Sequence, residues 1–445
     1  TLSLLALLLV MSFASCASDT TSDLPLPSKD MKAYLQVKVT VDGSGDTRAS
    51  RAATEPQGGE EGNGRETGLD NENKVNSLTV LLYKSDKDDL TEADATIDYV
   101  YTFTGLTASS STGGVTYTTG PREIDAAIVG KKYHVLVIAN AGDMTSRCKR
   151  QNISKIRDMQ MDKVCTRNDV IANFTDFVMS SKTDAKIDFS GKSGSGTGTE
   201  SDPYMVDVNI ERLAARIDII PNATFDAASN AYYYDVKDGA NVIGGFKLES
   251  VTPSKVLTKG EYLIKRVSSD AAVSAVTYFG LEEMDAANKA TNYVVCPWSK
   301  DRTGLTLSNA EGPASLYNVK NTTSTSTTDP SYILDYVMEN TTTDNAETYS
   351  TGLIFKGKYY EETEWDATNH RPIASATGTD REYTYTIRHS DPNGTGPSTA
   401  PMYYGIVRNN IYQVKIEGVV GKTKGLKLTI HVRKWATYTH EETTM

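Results

Sequence analysis

Acid–base and metal chemistry begin with histidines, and the five in this 445-residue chain are scattered: His134, His370, His389, His431 and His440. No His-x-x-x-His pair or Gly-x-Ser-x-Gly turn brings ligands or a nucleophile together. His134 and His431 alternate with apolar neighbours, which predicts that both face solvent from strands. The acidic run DKDDLTEAD at 86–94 has Thr91 where a calcium loop needs Gly, and no Glu completes the set. A solvated turn is expected there. Gly-Lys-Ser occurs within SGKSGSGTGTESDP at 190–203, yet Lys186 stands where a phosphate loop needs its first Gly, and no helical pattern comes after it. That stretch is read as a loop. No two carboxylates stand out as a hydrolytic acid and base. The protein is therefore expected to be no enzyme, with no catalytic residue, metal or cofactor.

The four cysteines point to modification of the chain itself. Residues 1–15, TLSLLALLLVMSFAS, form an apolar run too short to span a bilayer, the pattern of a secretory signal. FASC at 13–16 resembles a bacterial lipobox, with small residues at the two positions before Cys16. Residues 1–16 then form a signal peptide, Cys16 is lipidated, and 17–31 are a polar tether from the membrane to the fold. Cys148 and Cys165 lie 17 residues apart in one polar segment and could form a disulfide in an oxidising compartment. Cys296, in NYVVCPW, is read as a buried thiol, and the absence of a Cys-x-x-Cys pair argues against structural zinc.

The remaining residues are scaffold. A net charge of −11 with scattered basic residues argues against a nucleic-acid partner, and 38% hydrophobic content suffices for real cores. Short β-rich segments bounded by turn residues recur: NSLTVLLYKS (76–85), DYVYTFTG (98–105), GGVTYTTG (113–120) and KYHVLVIANAG (132–142). Their spacing predicts an all-β sandwich or barrel. The segment 146–177, with Ile153, Ile156, Met159 and Val164, is expected as a short helical insertion. After the Gly-rich loop, YMVDVNIERLAARIDIIP (204–221) resumes the extended pattern, and the boundary is placed near 209, giving domains 32–208 and 209–445. The second half again reads as strands, among them GFKLESVTP, GLIFKGKYY, NNIYQVKIEGV and GLKLTIHVRKW.

The first strand is set apart by the linker on its C-terminal side. Ala33, Leu35, Val37, Val39 and Val41 alternate with polar residues over 32–41, the pattern of a strand with one buried face. The chain then turns to a Gly/Asp/Arg/Pro-rich linker, 42–68, carrying Arg48 and Arg51 close together. Five buried apolar side chains at about 1.5 to 3 kcal/mol each amount to the order of 10 kcal/mol. A whole domain has a net stability of only about 5 to 15 kcal/mol.

The lipobox, the early strand with its arginine linker, KVNSLTVLLY, YHVLVIANAG, VNIERLAARIDI, FKGKYY, RNNIYQVKI and a terminal VRKW together resemble the Bacteroidales fimbrillin family, subunits of type V pili. The resemblance runs through nearly the whole chain. It implies two transthyretin-like, Greek-key β-sandwich domains, export as a lipoprotein, and removal of the first strand by an arginine-specific protease. Arg51, followed by Ala52 and Ala53, is the preferred cut, Arg48 the second choice and Arg65 a third. The vacated groove would accept a strand from another copy or another fimbrial subunit. The donor is expected in the terminal strand 425–445, through Leu426, Leu428, Ile430 and Val432, with Trp435 and Tyr438 as plugs. Deleting 435–445 should on that view leave the fold intact. The implied protein is a stalk subunit at the cell surface, held in the outer membrane before processing and supporting adhesion to host or bacterial surfaces. The alternatives are a non-polymerising surface lipoprotein or a tip adhesin that binds a glycan or host protein.

Overall fold

A computed structural model of the protein describes residues 32–41, 65–84, 95–111, 114–157, 159–168, 173–182, 185–190, 196–223, 225–226, 228–229, 231–257, 261–263, 267–269, 276–278, 299–300, 305–306, 318–319, 331–340, 351–387, 405–421 and 425–436. The fold is all-β, with two large sheets. In the first half the strands are β1 (Ala33–Val41), β2 (Arg65–Thr67), β3 (Ser77–Tyr83), β4 (Ile97–Thr104), β5 (Thr107–Ser111), β6 (Gly114–Thr118), β7 (Arg122–Ile124), β8 (Lys132–Ala139), β9 (Met179–Ser181), β10 (Ala185–Asp188) and β11 (Tyr204–Arg212). They pair in the order β4-β3-β8-β9-β11-β1-β6-β5, with β7 also on β1 and β10 on β8. Side chains from both ends of this order, such as Leu78 and Val135 with Val37 and Val208, share one buried cluster, which requires the sheet to curl over on itself. β2 belongs to the other sheet.

The second sheet is built from β12 (Ala214–Ile220), β13 (Ala231–Asp238), β14 (Asn241–Ser254), β15 (Ser331–Met338), β16 (Gly352–Glu361), β17 (Thr379–Thr386), β18 (Asn410–Val420) and β19 (Leu426–Ala436). Its order is β15-β12-β18-β13-β14-β16-β17, with β19 along the other edge of β18 and β2 on β19. The chain changes sheets at Leu213, because β11 still pairs with β1 and β9 up to Arg212 while β12 pairs with β15 and β18. This change of sheets falls a few residues beyond the boundary expected near 209, extended backbone and apolar composition continuing unbroken across the crossing. The expected linker also ends early: Arg65–Thr67 runs parallel to Lys434–Ala436 as a strand of the second sheet.

The helical insertion is present as two short helices, Thr145–Cys148 and Ile153–Arg157. Met144, Cys148, Ile153, Ile156, Val164 and Cys165 are buried from this region in the first core. Cys148 and Cys165 are not bonded to each other; both remain thiols, packed as small apolar side chains. Burial pushes the Cys148 thiol up to about 11. His134 is buried at 5% exposure with its ring stacked on Tyr83 at 5.0 Å, because β8 is covered on both faces. The period-2 argument for a solvent-facing side chain fails on such a strand.

Candidate functional site: the first-strand groove and the domain junction

β1 is an interior strand. It runs parallel to β11, Leu35 opposite Tyr204 through Val41 opposite Ile210, and antiparallel to β6 and β7 on its other edge. Its burial alternates without exception, with Ala33 at 2% exposure and Leu35, Val37, Val39 and Val41 at 0%. The mid-strand backbone is also tied: Val37 N–H donates to Thr119 Oγ1 at 2.9 Å, and Val37 C=O accepts from Thr119 N–H at 2.9 Å. Tyr34 N–H donates to Gly198 C=O at 2.9 Å, so part of the Gly-rich loop forms one wall of the slot. The half-buried face carries lighter pairing, Gln36 Nε2–H donating to Thr119 C=O at 2.7 Å and Lys38 facing Asp207 at 3.6 Å. Taking β1 away would therefore leave an apolar trough with unpaired backbone groups on both sides.

Cys16, Arg48, Arg51 and Tyr438 lie outside the described residues. Val432 is described in its backbone only, opposite Tyr412. The other expected donor residues are committed at home. β19 pairs antiparallel with β18 from Leu426 opposite Val419 to Lys434 opposite Asn410. Ile430 is buried in the second core, with Leu426 and Leu428 packed half-buried against it. Trp435 is 0% exposed and belongs to the first core. Its odd number puts it out of phase with Leu426, Leu428 and Ile430. Instead of being a loose plug, it is a structural side chain of the junction between the two sheets.

That junction is a buried polar cluster, none of whose charged members stood among the expected site residues. The short helix α1 (Asp70–Asn73) presents Glu72, fully buried, whose carboxylate accepts from Leu69 N–H at 2.6 Å and Trp435 Nε1–H at 2.9 Å. It also accepts from the Arg216 guanidinium at 3.2 Å and from the Tyr336 hydroxyl. Arg216 turns its other face to Asp218, Nε and Nη2 donating at 2.9 and 2.8 Å in a bidentate pair. Arg212 donates to Glu72 C=O at 3.0 Å, Asn409 Oδ1 at 2.9 Å and Trp435 C=O at 3.1 Å, and also to Asn73 Oδ1. The Trp435 ring stacks on Tyr336 at 5.8 Å and receives Arg212 over its face at 4.8 Å. Burial works against the Arg216 charge, but Asp218 and Glu72 more than offset it and raise its pKa. Burial, reinforced by the Glu72 carboxylate, raises the Tyr336 hydroxyl well above its ordinary value.

The cluster joins the segment after the linker (Glu72), the crossing between sheets (Arg212, Arg216, Asp218), β15 (Tyr336) and the last described strand (Trp435). Its signal was present in ERLAARID, where Arg216 and Asp218, two apart and of opposite charge, share one face of an otherwise apolar strand. The partner Glu72 lies 144 positions away in sequence, which no local pattern reveals.

Residues 33–212 match the family described as Major fimbrial subunit protein (FimA). The match spans the whole of the first sheet, in which β1 is an interior strand. Among solved structures, the tip fimbrial protein Mfa3 from Porphyromonas gingivalis with C-terminal truncation aligns at 12% identity and a TM-score of 0.42, covering 91% of this chain and 100% of that one. A fimbrilin (FimA) from the same organism aligns at 14% identity and a TM-score of 0.41, covering 92% and 99%. No curated protein matches the chain.

Proposed function

We propose that this protein is a structural subunit of a cell-surface fimbrium, exported as a lipoprotein through Cys16 and activated by cleavage at Arg51 or Arg48. Loss of β1 converts a closed monomer into an acceptor, and a strand from another copy or another fimbrial subunit then fills the slot between β11 and β6. The observation that carries this reading is the position of β1: five core side chains on an interior strand, attached to the rest of the chain on its C-terminal side by an arginine-bearing linker. Loss of an edge strand leaves one unpaired edge, whereas loss of an interior one leaves two, which another strand satisfies.

The donor face is Leu426, Leu428, Ile430 and Val432, whose spacing matches the alternation of Leu35 to Val41. Donation requires β19 to leave β18 and Trp435 to leave the junction, so strand release at this end is a gated step. Assembly on the outer surface and adhesion to host or bacterial partners are supported by the match of residues 33–212 to the major fimbrial subunit family.

The test is treatment of the purified chain with an arginine-specific protease, then mass spectrometry, non-reducing gels and electron microscopy. Cleavage at Arg51 or Arg48 with loss of the 32–41 peptide and growth of a ladder or fibre is expected, and R48A/R51A should stay monomeric. Loss of the peptide with no assembly at any protein concentration would sink the proposal.

A further inference from the structure

The second sheet is forked. β13 and β18 pair only at Val236 with Val419 and Lys237 with Val420. Before that point β18 turns to β12, and the edge of β13 is taken by Phe225–Asp226. The divergence opens a cavity of about 890 Å³, at the upper end of the range for small-molecule sites. On the β18 side its floor is open at Gly418, where the ladder to β19 slips register and an added Cβ would meet nothing within 4 Å.

The wall formed by Tyr233, Asp235 and His370 is held from behind by Trp365. The Trp365 ring lies flat over Gly245, so close that a Cβ there would stand 1.9 Å from it. Its Nε1–H donates to Asp235 Oδ1 at 3.0 Å, and the same oxygen accepts from His370 Nδ1 at 3.0 Å. Because a carboxylate only accepts, Nδ1 carries the proton and Nε2 is the ring's remaining polar atom. His370 adopts φ of +51°, an uncommon conformation for a residue with a side chain. Tyr233, half-buried, stands edge-on to Trp365 at 6.0 Å and lines the cavity beside them.

The charges decide what fits. Asp226, Asp235 and Glu417 face Lys237, Arg371 and Lys427 around the same space, three of each sign. An anion would meet the carboxylates and a cation the basic groups, whereas hydroxyls donate to one set and accept from the other. The geometry points to a saccharide-binding site for an uncharged sugar in the β13–β18 fork, with Tyr233, backed by the buried Trp365, as its aromatic wall and His370 as an oriented polar contact. The site is complete in the uncut monomer, whereas Lys427 belongs to β19 and would leave with it on strand donation.

The uncut chain, applied to an array of neutral, sialylated and sulfated oligosaccharides, should retain neutral glycans. Lys427→Trp, an exposed position at the mouth, should abolish that retention by filling the space, and His370→Ala should weaken it at least tenfold while thermal melting stays unchanged. Retention of acidic glycans only, of none, or equally by Lys427→Trp and the unaltered chain would overturn the assignment. Because binding is read on the unprocessed monomer, failure here leaves the assembly proposal standing, and failure of assembly leaves this one standing.

Discussion

Glu72→Ala removes the acceptor at the centre of the junction, and its cost can be worked out donor by donor. Arg216 keeps its bidentate pair with Asp218, so the full penalty of an orphaned buried charge, about 3 to 5 kcal/mol, is not incurred. Leu69 is only half-buried and its N–H can turn to water. The Trp435 indole and the Tyr336 hydroxyl each lose the acceptor that Glu72 supplied in a site closed to solvent. At about 1 to 3 kcal/mol each, these sum to roughly 4 kcal/mol. For a unit of this size about 1 kcal/mol corresponds to 2 to 4 °C, so the melting temperature should fall by roughly 8 to 16 °C. Scanning calorimetry of the intact chain reads this directly, and the first core and the junction should lose cooperativity together. Glu123→Ala, which breaks the exposed pair with Lys32 at 2.9 Å, should leave the melt in place. If Glu72→Ala melted within about 2 °C of the unaltered chain, the cluster would not be holding the sheets together.

Two further outcomes rest on the same burial. Deleting 437–445 should leave the melt nearly unchanged, whereas deleting 435–445 also strips Trp435 from the core and should cost about 3 to 5 kcal/mol, readable by denaturant titration; equal stability of the two truncations would refute the junction role of Trp435. Cys148, whose thiol burial pushes up to about 11, holds little thiolate at pH 8 and should resist iodoacetamide until the protein unfolds, the rate rising as pH approaches that value. A Cys148–Cys165 linked peptide in the non-reduced native digest would contradict the unbonded pair.

Much of the first domain was legible in the order of residues alone. The alternation of Ala33 to Val41 reported both the strand and its buried face, because a period of two maps each residue to one side of a pleated backbone. The apolar register of Leu426, Leu428 and Ile430 reported β19 in the same way. What alternation could not report was how many faces are covered. β8 reads like an ordinary one-sided strand at His134, yet packing on both sides buries that ring. Nor could it tell a free terminal strand from a paired one, since Ile430 facing its own core and Ile430 facing a neighbour's groove have the same sequence.

The sequence by itself determined the all-β class, the buried face of β1 from its unbroken apolar alternation, and the chemistry available at each position. Which charges meet was decided only by the tertiary structure. Glu72, Arg216 and Trp435 are ordinary residues in their local contexts, and each would be solvated in an isolated strand or turn. They become one buried cluster because the crossing at Leu213 brings the ends of both sheets against α1, where water is excluded and every donor must find an acceptor within the protein. The fork between β13 and β18 has the same origin: neither strand encodes a cavity, and it exists because their other partners pull them apart after two residue pairs.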